Sequence, residues 1–341
     1  MKKQFAALLL AAVCVLSGCA GKTAGVPPVA APAEDERLVI YTSHKEEVWR
    51  PIVREFEERT GIWVDVVTGG SNELLERIKW EADAPGADVM FGGGVESLES
   101  YAEYFSPYVC AEHDKLAQTY CGEDNCWTPF SALPVVLIYN PKLVAPGELT
   151  GWESLLSEEF RGKIAFADPA VSGSCYTALV TMLCALDAPR EETLRRFAEN
   201  LDGRLLSGSG AILDSVADGT DRVGITLEET ARKRIAAGEN LRMIYPVEGT
   251  SAVPDGCAVI RGAMHEKNAQ KFIDFAVSRD VQSLLQEEEF SRRCVRTDIE
   301  PSAQLVRLDK LTLLDYDVAW ASSEHEAILE RWQSFLPKEG A

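Results

Sequence analysis

Small hydroxyl and glycine residues recur wherever a short apolar run of this sequence gives way to a helical pattern. Thr42-Ser43-His44 follows Leu38–Tyr41, Thr68-Gly69-Gly70-Ser71 follows Trp63–Val67, and Gly92-Gly93-Gly94 follows Ala87–Phe91. Ser172-Gly173-Ser174 comes after Lys163–Ala167, Ser207-Gly208-Ser209-Gly210 after Arg204-Leu205-Leu206, and Val223–Leu227 runs straight into Glu228-Glu229. Turns of this kind expose unpaired N–H groups at the positive end of a helix dipole, a chemistry suited to the many acceptor lone pairs of a phosphoryl or phosphonyl group. One Gly-Ser turn alone is explained by helix capping. Repetition at corresponding places in both halves points instead to donors presented to one cleft. The predicted anion donors are Ser43, Gly70, Ser71, Ser172, Gly173, Ser174 and Tyr176, with His44, Gly93 and Ser209 beside them. Glu228 and Asp255 would receive hydroxyls or an amine, and Arg296 would pair with the anion or, structurally, with a carboxylate.

The elements that must position these residues alternate strand and helix, the pattern of an α/β fold. Val48, Trp49, Ile52, Val53 and Phe56 recur at helical spacing, with a capping-box signature at Ser43 and Glu46 and a stop at Gly61. Pro51 either starts that helix or kinks it. In open α/β sheets ligands bind at the carboxyl ends of strands, which is where the Ser/Gly turns fall.

The 341 residues predict about two domains, each able to bury its own core. A formal charge of −20 argues against nucleic acid and anionic lipid as partners held by charge. It does not exclude an anionic small ligand, because surface charge is screened over about 8 Å. Lys2 and Lys3 precede an apolar run from Phe5 to Leu16, too short to span a bilayer, so the run reads as the core of a secretory signal. It ends in Leu16-Ser17-Gly18-Cys19, which resembles a bacterial lipobox. Residues 1–18 are therefore expected to be a lipoprotein signal peptide, Cys19 the lipidated N-terminus, and 19–36 a proline-containing flexible tether. The expected location is the cell envelope, on the outer side of the cell membrane or in a periplasm.

Export permits disulfides. Cys121–Cys126 and Cys257–Cys294 are the candidate bridges, while Cys175 and Cys184 lie nine positions apart on one predicted helix, too far to pair. Cys110, His113, Cys121 and Cys126 offer soft ligands for zinc, but in a spacing that matches no common zinc framework.

Taken in order, LVIYTS (38–43), EFEERTG (55–61), VVTGGSNELL (66–75), ADVMFGGG (87–94), DPAVSGSCYTAL (168–179), VGITLE (223–228), YPVEGTSAVPDGCA (245–258) and RRCVRTD (292–298) resemble the family 1 extracellular solute-binding proteins of bacterial ABC importers. The resemblance is to the branch that holds ferric-iron, thiamine, aminoethylphosphonate and hexose-phosphate binders. It implies a two-lobed α/β clamp of the periplasmic-binding-protein type, each lobe a mixed sheet flanked by helices. Two crossover strands would join the lobes near 128–135 and 250–255. Lobe 1 would take 37–130 with 255–300, lobe 2 would take 131–254, and a helical tail over 301–341 would pack on lobe 2. No catalysis and no cofactor are implied. The implied partners are a small solute and an importer permease, and the receptor is expected to act as a monomer.

Ferric iron, thiamine and a hydrolytic activity are the alternatives to the anion. Ferric iron wants oxygen ligands, which Tyr41, Tyr176, Glu228 and Tyr245 offer, but the chain has no adjacent tyrosine pair. Thiamine or its phosphate would need an aromatic sandwich, drawn from Tyr41, Trp127, Tyr176 and Tyr245. A hydrolase using Ser174 and His44 is the remaining alternative, without any nucleophile motif to support it.

Overall fold

The structure, a computed structural model, describes residues 33–337. The predicted signal peptide, Cys19 and the tether up to residue 32 lie outside the described residues. Residues 33–36, predicted as tether, already belong to the fold. Glu34–Glu36 form a short helical turn, and Asn268 Nδ2 donates to the carbonyls of Asp35 (2.9 Å) and Arg37 (2.8 Å). Among the described residues no helix is long and apolar enough to cross a membrane.

Strand and helix alternate from the start: β1 Arg37–Thr42, α1 Glu46–Thr60, β2 Trp63–Thr68, α2 Ser71–Trp80, β3 Val89–Gly94 and α3 Val95–Ser100. Short strands β4 Phe105–Ser106, β5 Thr128–Ala132 and β6 Val135–Tyr139 precede α4 Trp152–Leu155 and β7 Ile164–Ala165. Three helices follow, α5 Gly173–Ala185, α6 Arg190–Leu201 and α7 Gly210–Asp218, then β8 Val223–Leu227, α8 Glu228–Ala236 and β9 Arg242–Ile244. The chain ends with β10 Pro254–Ile260, α9 Glu266–Ala276, α10 Arg279–Leu284, β11 Arg293–Cys294, α11 Val318–Ser323 and α12 His325–Phe335.

Two sheets result. Seven strands form the first, in the order β11-β5-β10-β3-β1-β2 with β4 pairing on β10; four form the second, in the order β7-β8-β6-β9. In the first sheet β1 lies parallel to β2 and β3, and β10 runs antiparallel to β3 and β5. Side chains alternate across it with period two. Leu38, Ile40, Val89, Phe91, Cys257 and Val259 enter one core, with Phe56 and Phe272 of the helices on that face. Tyr41, Met90, Ala258 and Ile260 enter another, with Leu75 and Leu98. The second sheet is buried in a separate core around Val136, Ile138, Leu179, Phe197 and Trp332.

Leu133 and Pro134 alone separate β5 of the first sheet from β6 of the second, and residues 245–253 return the chain from β9 to β10. The two crossings lie side by side: Leu133 N donates to Val253 O and Val135 N to Ser251 O, each at 3.2 Å. The tail does not pack on the second body alone. α12 packs on α6, whereas α11 packs on α3 of the first body, where Ser100 Oγ donates to Ser322 O at 3.2 Å.

The cap of α1 differs from expectation. Lys45, not Ser43, precedes its first turn. Ser43 instead stays on the strand side, its N–H donating to Phe91 O at 3.3 Å. Pro51 sits inside α1.

Candidate functional site

Between the two bodies lies a cavity of about 480 Å³. The residues immediately before six helices line it: Lys45 before α1, Gly70 before α2, Gly94 before α3, Ser172 before α5, Ser209 before α7 and Leu227 before α8. Three of these helices come from each body. The arrangement follows from topology, since a strand that ends at the cleft must turn there and begin its helix there. Each first turn leaves N–H groups without intrahelical acceptors and carries about half a positive charge. Six converging on one space present donors of a kind suited to an anion, inside a protein whose net charge is −20.

The two sides meet directly at two of these turns. Gly173 N donates to Ser71 Oγ at 3.1 Å, and Asn72 Nδ2 donates to Pro169 O at 3.1 Å. A Cβ at Gly173 would overlap Ser71 Oγ, so the close approach requires glycine there. Gly92, at φ +109°, takes a left-handed turn in which a Cβ would lie 2.6 Å from Ser43 Oγ.

Charged groups gather on one wall. Arg292 is buried, and its Nη1 donates to Asp255 Oδ2 at 2.6 Å and to Ser131 Oγ at 2.8 Å. Its Nη2 lies 3.4 Å from Glu229 Oε1 across the cleft. Burial pushes the Glu229 carboxyl up, but Arg292 and Lys233 outweigh it and hold the group below its ordinary range. His44 packs edge-on against Phe91, ring centroids 4.4 Å apart, with Nδ1 3.7 Å from Asp255 Oδ2. Burial, reinforced by Arg292, drives its pKa well below the usual value, so the imidazole is neutral and contributes no cation.

Ten of the predicted residues line this cavity: Ser43, His44, Gly70, Ser71, Gly93, Ser172, Gly173, Ser174, Ser209 and Asp255. Four do not. Tyr41 is fully buried on the far side of β1, its hydroxyl donating to Glu81 Oε2 at 2.8 Å with Arg77 4.6 Å from the ring, and burial with Glu81 pushes its pKa up to about 12. Tyr176 points into the second core and donates to Ala321 O at 2.5 Å. Glu228 is held by Arg293 (2.7 and 2.8 Å) and by the Tyr245 hydroxyl; the adjacent Glu229 faces the cavity in its place. Arg296 is a structural ion pair with Asp298 and Glu112, and Arg292, four residues earlier, lines the cavity.

Sequence reasoning missed Arg292, Glu229, Lys45 and Thr177. Glu229 adjoins Glu228 and Arg292 stands four positions before Arg296, so the sequence marks the segment but not the face. Among the described residues no Tyr, Trp or Phe lines the cavity; Trp127 is buried, with Nε1 donating to Glu99 Oε2 at 2.6 Å. Tyr41, Trp127, Tyr176 and Tyr245, named above for thiamine or iron, are thus not brought to this cavity.

The cysteine expectations change as well. All seven cysteines among the described residues are free. Cys257 on β10 pairs with Thr128 of β5 and Cys294 on β11 with Ser131, so they are at least two strand spacings, more than about 9.6 Å, apart and beyond bridging distance. Cys121 Sγ and Cys126 Sγ turn to separate carbonyls, Ala117 O and Asp124 O. Cys110, His113, Cys121 and Cys126 do not converge, and among the described residues no group of three or more His, Cys, Asp or Glu side chains could hold a metal ion.

Two sheets, paired crossings and a donor-lined cleft between them define a clamp that closes on a solute. Comparison with known proteins agrees. Residues 84–314 match the model of the bacterial extracellular solute-binding proteins, and the chain belongs to that family, whose members are binding proteins rather than enzymes. Iron uptake protein A1 of Synechocystis is 27% identical over 293 residues, covering 81% of this chain and 80% of the relative. The Fe(3+)-binding periplasmic protein of Serratia marcescens is 24% identical over 306 residues, 86% of this chain and 89% of the relative. Among solved structures, the periplasmic binding protein AfuA of Actinobacillus pleuropneumoniae, with fructose-6-phosphate bound, superposes with a TM-score of 0.81 at 23% identity. That match covers 88% of this chain and 98% of AfuA. The fold is the two-lobed clamp of the periplasmic binding proteins, and the family implies delivery of a small solute to an ABC importer permease.

Proposed function

We propose that this protein is a lipid-anchored receptor that captures a small phosphorylated or phosphonate solute and hands it to an ABC importer. The observation that carries the reading is the convergence of six helix N-termini on one cavity. A phosphoryl group accepts several short N–H and O–H bonds at once, and Gly70-Ser71, Ser172–Ser174 and Ser207–Gly210 supply such donors from both lobes. Lys45 adds a cation at the cavity wall, and Asp255, Glu229 and Arg292 offer a second polar region for hydroxyls or an amine on the rest of the solute. The fructose-6-phosphate complex of AfuA shows that a clamp of this fold holds such a compound. The iron-named relatives favour a second reading, against which stand the buried phenols of Tyr41 and Tyr176 and the lack of a metal-holding cluster among the described residues.

Anchoring through Cys19 would place the clamp on the outer face of the cell membrane, with 19–32 as its leash. A thermal-shift screen tests the ligand class. A solute at 100 times its Kd adds about 2.7 kcal/mol, a rise of several degrees. Hexose phosphates, aminoethylphosphonate or inorganic phosphate should raise the midpoint. If thiamine or ferric citrate raises it and none of these does, the reading fails.

A further inference from the structure

Glu96 is the second residue of α3, just past Gly94 at the cavity wall, and its side chain is fully buried. Its Oε1 accepts a hydrogen bond from Thr177 Oγ1 on α5, so the contact crosses from one lobe to the other. The Tyr316 hydroxyl of the tail faces the same carboxyl, but neither it nor Glu96 Oε2 makes a well-aligned hydrogen bond. The tail closes over this spot from both sides: Ser322 O accepts from Ser100 of the first lobe, and Ala321 O from Tyr176 of the second.

The groups around the carboxyl offer no cation. From α5 come Thr177 and Tyr176; from the tail come Tyr316 and, behind Tyr176, Glu324. His325 stacks on Tyr176 at 4.4 Å, and burial keeps it neutral. Asp255, on β10 behind α3, is engaged by Arg292 and Ser131. A carboxylate enclosed by hydroxyls without a cation is costly, whereas the protonated acid is not. Burial, opposed only in part by hydrogen bonding from Thr177 and, more weakly, from its own backbone and Tyr316, raises Glu96 to about 7.

We propose that Glu96 couples closure of the cleft to the uptake of one proton. Closing brings α5 against the carboxyl and excludes water; opening withdraws Thr177 and returns the group toward the ordinary range near 4.3. The sign follows. The pKa is higher in the closed form, so closure is favoured fully below the open-form value, weakens by up to tenfold per pH unit between about 4.3 and about 7, and levels off above 7, where both forms are ionised. The inference rests on the two-lobed geometry alone and holds whatever solute the cavity takes.

Amide hydrogen exchange at Gly173 in the ligand-free protein reads the opening equilibrium, because that N–H is bonded to Ser71 Oγ only when the lobes meet. Corrected for intrinsic exchange, its protection should fall by up to about tenfold per unit between pH 5 and 6.5 and be level between pH 7.5 and 8.5. Glu96→Gln should abolish that fall. Thr177→Val, which removes the donor favouring the carboxylate in the closed form, should carry the fall on to higher pH before it levels and serves where the Gln variant does not fold. Level protection in the wild type across the whole range, or an unchanged fall in either variant, would overturn the proposal.

Discussion

Ser71 Oγ, on the first lobe, accepts the Gly173 N–H of the second at 3.1 Å, so two residues of the anion cradle hold each other across the cleft. A methyl group at 173 would collide with that hydroxyl, whereas the Cβ of residue 71 lies at an ordinary 3.4 Å. Gly173→Ala should therefore impede closure and lower solute affinity at least tenfold with little loss of stability. Adding Ser71→Ala to Gly173→Ala should recover part of the affinity. Calorimetric titration of the two single variants and the double variant checks this non-additivity.

Arg292 and Arg296 stand four positions apart and have different tasks. Arg292→Lys should weaken binding by about 10- to 100-fold, the range of a lost hydrogen bond to a charged group. Arg296→Lys should leave affinity within about twofold and lower only the melting temperature. Hydrogen bonds from Arg296 hold the Asp298 carboxyl down to about 2. Its folded pKa lies below the unfolded value, so its stabilisation is present above pH 4 and is lost as pH falls toward 2. Asp298→Asn should flatten that part of the acid-unfolding profile.

Tyr41→Phe and Tyr176→Phe separate the phosphate reading from a phenolate-iron reading. Both hydroxyls serve buried hydrogen bonds away from the cavity. Each variant should lose about 1 kcal/mol of stability and keep its affinity for the phosphorylated solute. Loss of ferric-citrate binding on either substitution would favour iron instead.

The anchor is tested independently of the ligand. Cys19→Ser should shift the protein from the detergent phase to the aqueous phase in a cloud-point partition of whole cells. Wild-type protein found only in the aqueous phase would remove the lipid from the reading.

Much of the cradle was legible in the sequence because one chemistry marks it twice. Gly70-Ser71, Ser172–Ser174 and Ser209 had to lie where a strand ends and a helix begins, and in this fold those places face the cleft. Facing within a single junction was not legible. β1 is covered on both faces, so its run of apolar residues carries no alternation to show that Tyr41 turns toward Glu81 rather than the cavity. Glu228 and Glu229 differ by one helical step, about 100° around the axis, and only the second reaches the cavity. Which arginine of 292–298 reaches the site depends on how the two residues of β11 pair with β5, a long-range contact with no local signature. The same pairing separates Cys257 from Cys294.

Calorimetric titration with a matched pair of solutes, a hexose 6-phosphate and the hexose without its phosphate, with 2-aminoethylphosphonate and ethanolamine alongside, tests the anion cradle most directly. At least one phosphoryl or phosphonyl member should bind 100-fold or more tighter than its partner, a difference of about 2.7 kcal/mol. Equal affinity within both pairs, or heat only from ferric citrate, would contradict the cradle as the basis of recognition.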